Sequence, residues 1–384
     1  MSSESYDIVF VGAGAAGLHT AISLVDEDSE RRLRIALVDP DEKSANDRTW
    51  CFWEEGPGRW DDILTREWTD GTVRTPDGKE ISLDMGRYRY KMLCSSDFYQ
   101  EAKDIISQHP GIDWIRDDVV SVEETEDDCL IRTNHQELHG KTVLDSRVPE
   151  SFLATQVDAI RILQHFVGWV VEYDEAVFDQ DRFVMMDFHH QASEDTAFFY
   201  LLPLDEKRAL VEYTLFNHEV SSDQHYEDSL KAYLTAHLPN LEYRIVEQEK
   251  GVIPMSDFAF HMGQGQRHIR IGTAGGWVKP ATGYHFRFAQ RFGGQFAKAL
   301  ANGNRPSVTP WSKRHRYYDG LLLDILDRDN ELGPRLFGIM YSKMPAHLIL
   351  RFLDEDTSFL QDLRVMSKFP PMPFIKSLVK RLFS

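Results

Sequence analysis

Three closely spaced glycines could hold the phosphates of a dinucleotide. Gly12, Gly14 and Gly17 form a GxGxxG motif between an apolar strand and a helical segment. Gly12 permits a sharp turn, Gly14 has no side chain to obstruct a pyrophosphate, and Gly17 lets the helix pack closely on the strand. The first helical residues, Ala15 and Ala16, present N–H groups at the positive end of the helix dipole. These five residues predict a cofactor-binding turn, and a plain packing turn is the alternative.

An acidic residue at the end of the second strand supports the same interpretation. The strand at 33–39 ends on Asp39, which lies 22 residues after Gly17. A carboxylate at this place accepts hydrogen bonds from ribose hydroxyls and repels a 2′-phosphate. FAD-binding and NAD-binding proteins share this opening, so it does not choose between the two cofactors.

A second glycine cluster favours FAD. The segment 271–284, IGTAGGWVKPATGY, follows a strand, turn and helix pattern. It resembles the late motif of hydroxylase-like flavoproteins, in which backbone amides contact the flavin chain, although those proteins usually carry an aspartate where this chain has Thr273. A simple loop is the alternative. The predicted cofactor contacts in this cluster are Gly272, Thr273, Gly275, Gly276, Thr282 and Gly283.

The order of elements predicts an α/β fold with a Rossmann-like FAD-binding domain of the flavin hydroxylase type. A strand–helix–strand unit opens the chain, with its helix predicted over 15–26. Residues 44–90 are predicted as an inserted region of turns with little helical period, and a helix is predicted over 97–107. Short alternating strands at 160–216 predict an antiparallel sheet in a substrate domain. The pattern after Trp311 is helical. We assign 1–45, 88–150 and 262–305 to the FAD-binding domain, 46–87 and 151–261 to the substrate-binding domain, and 306–384 to a helical C-terminal region.

Composition limits the classes of function. Of 384 residues, 42% are hydrophobic and 27% are charged, which is typical of a globular protein. The net charge of −19 repels phosphate backbones, so we expect no nucleic-acid partner. No run of roughly 18 apolar residues occurs, so we expect no transmembrane helix. The N-terminus does not resemble a signal peptide, which favours a cytoplasmic protein.

Cysteine and histidine spacing predicts no metal site. The three cysteines, Cys51, Cys94 and Cys129, form no CxxC pair, which is typical of reduced thiols in a cytoplasm. His189 and His190 are adjacent, a spacing that suits neither a helix-face nor a strand-face pair of ligands. We interpret both histidines as surface or packing residues.

The end of the chain combines basic and apolar side chains without an acidic residue. Basic groups would meet anionic lipid while apolar groups enter the headgroup boundary, so the tail predicts peripheral attachment to a membrane surface. A helix that packs on the domain itself is the alternative. The basic residues are Arg364, Lys368, Lys376, Lys380 and Arg381, and the apolar residues between them are Phe369, Met372, Phe374, Ile375, Leu378 and Leu382.

Six short blocks together resemble one family, the bacterial lycopene β-cyclases. The resemblance implies an FAD-dependent isomerase of carotenoid biosynthesis that folds the ψ-ends of lycopene into β-rings, giving γ-carotene and then β-carotene without net redox change. It also implies reduced FAD as the active cofactor, NAD(P)H as the reductant, and other carotenoid enzymes as partners. The blocks are NDRTWCFW (46–53), LQHFVGW (163–169), FFYLLPL (198–204), ALVEYTLF (209–216), EKGVIPM (249–255) and GTAGGWVKPATGYHF (272–286).

The same resemblance assigns the catalytic acid to Glu212 in LVEYT. The plant version of the motif has a second acid where this chain has Tyr213, which we expect to support Glu212 instead. An apolar pocket raises the pKa of a carboxyl group, so Glu212 would stay protonated near neutral pH and could protonate an alkene. On pattern alone, the solvent-facing position of an ordinary strand is favoured for Glu212, and only the family resemblance reverses that preference.

The RTW block lies near the flavin in this family, so the resemblance predicts that Arg48 contacts the cofactor. Aromatic faces of Trp50, Trp53 and Trp277 would stabilise a substrate cation by roughly 1–2 kcal/mol each. The alternatives are a surface ion pair for Arg48 and core packing for the tryptophans. Two other functions stay open: an FAD-dependent monooxygenase or reductase acting on a lipid or isoprenoid, and a carotenoid carrier without enzymatic activity.

Overall fold

The computed structural model describes residues 4–154, 158–190, 195–238 and 241–383. Its strands in chain order are β1 (Glu4–Val11), β2 (Ile35–Val38), β3 (Thr49–Glu55), β4 (Arg66–Trp68), β5 (Asp70–Arg74), β6 (Glu80–Ser82), β7 (Tyr88–Cys94), β8 (Ile112–Ile115), β9 (Val119–Glu124), β10 (Cys129–Thr133), β11 (Glu137–Asp145), β12 (Arg161–Tyr173), β13 (Arg182–Asp187), β14 (Thr196–Pro203), β15 (Arg208–Asn217), β16 (Tyr243–Ser256) and β17 (His268–Arg270). Its α-helices are α1 (Ala15–Glu27), α2 (Ser95–Ser107), α3 (Glu150–Leu153), α4 (Asp223–His237), α5 (Phe286–Ala301), α6 (Lys313–Arg328), α7 (Gly333–Lys343), α8 (Ala346–Leu353), α9 (Phe359–Met366) and α10 (Pro371–Phe383).

The chain divides into two compact units, each built from three segments. Unit 1 comprises Met1–Asn46, Ser95–Ala159 and Phe258–Trp311. Unit 2 comprises Asp47–Cys94, Ile160–Asp257 and Ser312–Ser384.

These borders differ from the predicted domain borders at several points. Residues 151–159 and 258–261, predicted to belong to the substrate-binding domain, and 306–311, predicted to belong to the C-terminal region, group with unit 1. Residues 88–94, predicted to belong to the FAD-binding domain, form β7, which pairs with β3 and β4 inside unit 2. Residues 312–384, predicted to form a region of their own, group with unit 2. Their predicted helical character is confirmed by α6 to α10.

Unit 1 has the predicted Rossmann-like architecture. Strands β8, β2, β1 and β11 form a parallel sheet in that order, β17 pairs parallel with β11, and β10 and β9 continue the sheet antiparallel. The residues of β2 are fully buried, which fits an apolar strand in the middle of a covered sheet. Helix α1 packs on α5 at Gly293, where a side chain would collide with Thr20.

Unit 2 is built on a largely antiparallel sheet, as the alternating strands predicted. The strand order is β16-β12-β15-β14-β13-β5-β6, and only β13 and β5 run parallel. Helix α4 covers one face of this sheet with a cluster that includes Tyr226, Leu230 and Tyr233. Strands β3, β7 and β4 form a second, three-stranded sheet.

Helix α10 has two different long faces. On one face Ser377 donates a hydrogen bond to the carbonyl of Leu321, and two basic residues form ion pairs with unit 2: Lys380 with Asp324 and Arg381 with Asp257. On the other face a row of apolar side chains is 38–69% exposed: Met372, Ile375, Leu378, Val379 and Leu382. The helix therefore packs on its unit through one face and exposes apolar side chains on the other, and attachment to a membrane stays a prediction.

Among the helices of the described residues, none is long and apolar enough to cross a membrane.

Candidate active site

Glu212 lies on a central strand of the unit 2 sheet. Its strand β15 pairs with β12 on one side and with β14 on the other, where Glu212 is opposite Gly168 and Tyr200. Since alternate strand residues point to the same face, Glu212 shares its face with Leu210 and Thr214, which are both buried. The solvent-facing alternative for Glu212 is therefore wrong, because the side chain is only partly accessible and its neighbours on this face are closed off.

A second glutamate, Glu249, reaches the same place from β16. Gly168 on β12 is the cross-strand partner of both Glu212 and Glu249, so the three residues form one row across three strands. Gly168 has no side chain to separate the two acids: a Cβ at this position would lie 3.0 Å from Cγ of Glu249. The two glutamate side chains meet above this glycine and form a hydrogen bond.

The surroundings of the pair raise the pKa of Glu212. Burial raises the pKa of Glu212 well above its ordinary value, the negative charge of Glu249 raises it further, and a 2.6 Å hydrogen bond from the Thr214 hydroxyl opposes the rise. Part of the Glu212 side chain is accessible to solvent, but the protein atoms around its carboxyl group determine the direction of its pKa shift. Two acids in contact do not both ionise readily, and the stronger rise of the Glu212 pKa makes Glu212 the favoured member of the pair to hold a proton.

Strand β3 and the residue before it shape the environment of Glu249. Burial raises the pKa of Glu249 above its ordinary value, and the negative charge of Glu247 adds to the rise. Hydrogen bonds with Thr49 and Glu212 and the positive charge of Arg48 oppose it. The thiol of Cys51 lies near both acids, and its burial together with their charges raises its pKa well above the ordinary value. The site thus favours an ionised Glu249 beside a neutral Glu212.

Tyr213 does not support Glu212, so that prediction is wrong. The residue is fully buried on the opposite face of the sheet, where its ring stacks on Phe199 at a centroid distance of 4.5 Å. It belongs to the cluster under α4. The physical reason is the two-residue period of a strand, which sends neighbouring side chains to opposite faces.

Two of the three tryptophans proposed as cation–π partners are core residues. Trp277 is 1% exposed in unit 1, where its ring makes edge contacts with Phe292 and Phe296. Trp53 is 3% exposed in β3. Trp50 is partly accessible and remains a candidate.

The first glycine motif forms a tight turn at the start of α1. Gly12 adopts φ +98° and Ser146 occupies the space of its missing side chain, so only glycine fits this position. A side chain on Gly17 would lie 2.5 Å from the carbonyl oxygen of Gly12. A Cβ on Gly14 would meet no atom within 4 Å, and α1 starts at Ala15 without a side-chain cap. The first N–H groups of an α-helix have no acceptor within the helix, so those of α1 can take an outside acceptor.

Asp39 is built into the same turn. Its two carboxylate oxygens accept hydrogen bonds from the backbone N–H groups of Ala13 (2.7 Å) and Asp41 (2.8 Å), and Lys43 lies 3.4 Å away. A carboxylate has about four acceptor positions, so it retains one for a further donor. Its contact with ribose remains a prediction.

The second glycine cluster packs directly on the first. Gly272 adopts φ +62°, and a Cβ there would lie 3.0 Å from Cβ of Ala16. The amides of Gly275, Gly276 and Trp277 bond to carbonyls inside their own turn, those of Ile271, Thr273 and Gly272 respectively.

The cluster ends in a turn between Lys279 and Tyr284. The amides of Thr282 and Gly283 both donate to the carbonyl of Lys279. The hydroxyl of Thr282 is buried and has no hydrogen-bond partner among the described residues.

One group of residues outside these sites has the composition of a metal site. The sequence interpretation of His190 as a surface or packing residue missed that it meets Asp187 and His237, whose ligand atoms all lie within 4.8 Å of one another. The guanidinium of Arg74 donates a 3.0 Å hydrogen bond to Asp187 and lies 2.7 Å from Nε2 of His237. A positive charge already occupies this cluster, so we assign no metal to it.

Comparison with known proteins places the chain. A family model described as "Lycopene cyclase protein" matches residues 7–379. The chain belongs to the lycopene cyclase family. The predicted family resemblance is confirmed.

The curated relatives of this family member have low sequence identity to it, but their alignments cover most of the chain. The lycopene beta-cyclase of Pantoea ananas is 23% identical over 391 residues, which cover 97% of each chain. The chloroplastic neoxanthin synthase of Solanum lycopersicum is 25% identical over 345 residues, which cover 82% of this chain and 65% of that protein. The chain thus spans 57–65% of the length of these plant relatives.

Solved structures confirm the fold of this lycopene cyclase family member. A geranylgeranyl bacteriochlorophyll reductase-like protein from Thermoplasma acidophilum matches with a TM-score of 0.71 and 14% identity, over 99% of this chain and all of that one. A triple mutant of the flavin-dependent brominase Bmp2 matches with a TM-score of 0.63 and 15% identity, over 99% of this chain and all of that one. The predicted fold class is therefore the fold of known flavin-dependent enzymes.

Proposed function

We propose that this chain is a lycopene β-cyclase, an isomerase that closes the ψ-ends of lycopene to β-rings with no net redox change. The observation that carries the proposal is the pair of Glu212 and Glu249, which lie in one row across Gly168 and whose pKa values are both raised by burial. A neutral carboxylic acid with a raised pKa is the group that proton-initiated cyclisation needs. The family and the names of its relatives, such as the lycopene beta-cyclase of Pantoea ananas, support this substrate.

In this proposal, unit 1 binds FAD. Three features of unit 1 fit the cofactor: the open space at Gly14, the uncapped start of α1, and the buried Thr282 hydroxyl with no partner in the described part of the chain. Pyrophosphate oxygens suit the first two, because a helix N-terminus attracts negative charge. Asp39 keeps one acceptor position for a ribose hydroxyl. When bound and reduced with NAD(P)H, the flavin supplies negative charge that stabilises a substrate cation.

The residues of unit 2 would then perform the proton transfer. The Glu212 carboxyl group gives its proton to the terminal double bond of a ψ-end, which leaves a tertiary cation on the substrate. The electrons of the neighbouring double bond close the ring. The low accessibility of the Glu212 face limits water, which would otherwise capture the cation as an alcohol.

We also propose that α10 attaches the enzyme to the membrane surface that holds lycopene. The exposed apolar row of this helix supports the attachment, and Arg364 and Lys376 lie close in sequence as exposed basic groups. Apolar and basic side chains on a short helix are typical of binding in the headgroup region.

The test is the reaction of purified, FAD-loaded protein with lycopene without oxygen. We expect γ-carotene and then β-carotene, with no net consumption of NAD(P)H per ring. Glu212→Gln should retain FAD and lose ring formation by at least about 100-fold, because it removes the proton donor. Glu206→Gln, which removes an exposed acid just before β15, is the control. Oxygen uptake matched to product would instead indicate a monooxygenase, and unchanged lycopene would indicate a carrier.

A further inference from the structure

A cyclisation that takes up one proton and loses another needs a base as well as an acid. It also needs a way to restore the acid after each ring. Carboxylic acids exchange protons well when they are hydrogen-bonded to a partner of similar pKa. The base is best placed where it can reach both the substrate and the spent acid.

Glu249 is the group in unit 2 that meets these requirements. It lies across Gly168 from Glu212 and is hydrogen-bonded to it, with no side chain between them. Thr49 and Arg48 stabilise its ionised form. Its side chain is partly accessible, like that of Glu212.

We propose that Glu249 is the catalytic base, which removes a proton from the closed ring and returns it to Glu212 through their direct hydrogen bond. The inference rests on the proposed cyclase function and adds the group that completes its proton cycle.

The cycle balances in protons and electrons. Glu212 gives H⁺ to the terminal double bond and becomes a carboxylate, and ring closure moves the cation onto the ring. The Glu249 carboxylate takes H⁺ from the ring carbon that bears the polyene, and the electrons of that carbon–hydrogen bond form the ring double bond. Glu249, now neutral, passes H⁺ to the Glu212 carboxylate. No proton and no electron is gained or lost.

The position of the base also determines the ring type. Loss of a proton from the ring carbon that bears the polyene gives a β-ring. Loss from the ring methylene on the other side of the cationic carbon gives an ε-ring. Loss from the methyl group on the cationic carbon gives an exocyclic double bond. A base fixed beside the acid restricts the reaction to one of these protons, so removal of the base should broaden the products.

The experiment compares the products of wild-type, Glu249→Gln and Glu212→Gln proteins, each loaded with reduced FAD and supplied with lycopene in liposomes. We expect Glu249→Gln to form β-rings about 100-fold more slowly and to yield rings with displaced double bonds, identified by chromatography and NMR. Glu212→Gln should yield no rings of any type. The matched control is Glu242→Gln, which removes an exposed acid just before β16 and should behave as wild type.

The possible outcomes separate this inference from the proposed function. If wild-type protein forms no rings, the proposed function fails. If wild-type protein cyclises and folded Glu249→Gln makes only β-rings, at full or reduced speed, Glu249 is not the base. If Glu249→Gln does not fold, Glu249→Asp decides, with lycopene deuterated at the carbon that loses its proton. The measured quantity is the ratio of the rates with ordinary and deuterated lycopene. A larger ratio in Glu249→Asp than in wild type supports Glu249 as the base, and an equal ratio overturns it.

Discussion

Replacing Gly168 by alanine should separate the two acids without changing any titratable group. The new Cβ would lie 3.0 Å from Cγ and 3.1 Å from Oε1 of Glu249, and Leu210 blocks it on another side at 3.0 Å. Ordinary contacts between carbon atoms are roughly 3.5–4.0 Å, so the Glu249 side chain must retreat by about 0.5–1 Å.

This retreat weakens the repulsion that raises the pKa of Glu212. Two charges about 4 Å apart interact by about 4 kcal/mol at an effective dielectric constant of 20, and the retreat removes about 0.5–0.8 kcal/mol. Since 1.36 kcal/mol corresponds to one pKa unit, the pKa of Glu212 should fall by about half a unit. The free energy of unfolding should fall by about 0–2.5 kcal/mol, because alanine gains about 0.5–1 kcal/mol over glycine in a strand, against about 1–3 kcal/mol lost to overpacking.

The assay is the pH dependence of β-carotene formation. Activity requires a protonated Glu212, so it is lost as the pH rises through the Glu212 pKa. For Gly168→Ala the alkaline limb should therefore move about half a unit toward acid, and the maximal rate should fall by roughly 10- to 100-fold because the acids are displaced. Gly294→Ala is the control, since its Cβ would meet only Ser23 Oγ, at 3.9 Å.

The result that would refute this reasoning is a folded, FAD-bound Gly168→Ala protein with the wild-type rate and an unshifted alkaline limb. It would mean that the two acids do not depend on their close approach.

Three further predictions concern other contacts. Thr214→Val removes the hydrogen bond that lowers the Glu212 pKa, so the alkaline limb should move up by about one unit; a downward shift would contradict the assignment. Burial raises the pKa of Asp145, but hydrogen bonds from His268 and Arg147 outweigh this effect and lower the pKa to about 2. Asp145→Asn should therefore cost about 2 kcal/mol of unfolding free energy at pH 7, with the difference shrinking below about pH 4 as the unfolded carboxyl group protonates; denaturant titration at both pH values measures this, and a constant difference would contradict it. The double variant Ile375→Glu with Val379→Glu should sediment with anionic liposomes at least about 10-fold more weakly at an unchanged melting temperature, and undiminished binding would exclude α10 as the attachment.

Local patterns predicted the helices well. The helix expected at 97–107 is found as α2 (Ser95–Ser107), and the one expected at 15–26 is found as α1 (Ala15–Glu27). Both have a clear apolar period and a defined start. The region 44–90, predicted as an insertion of turns with little helical character, forms β3 to β7, and its end was placed too early because β7 pairs with strands of the same insertion.

The carboxyl pair could not be found from local patterns. Glu249 lies on a strand that runs beside β12, more than 30 residues along the chain from Glu212, and only the sheet order brings them together. One hint was present: Gly168 interrupts the apolar strand LQHFVGW, and a glycine inside a strand often marks a close approach. Tyr213 shows the opposite error, since adjacency in sequence was taken as proximity although strand residues alternate between faces.

The fixed attachment of α10 has a practical consequence. Its ion pairs with Asp324 and Asp257 oppose rotation of the helix about its own axis, so the apolar row is exposed with or without lipid. We therefore expect the protein to self-associate through this row in buffer without lipid, and more strongly in salts that strengthen hydrophobic association. Detergent or lipid nanodiscs should keep the preparation monodisperse, where concentration alone would drive it out of solution.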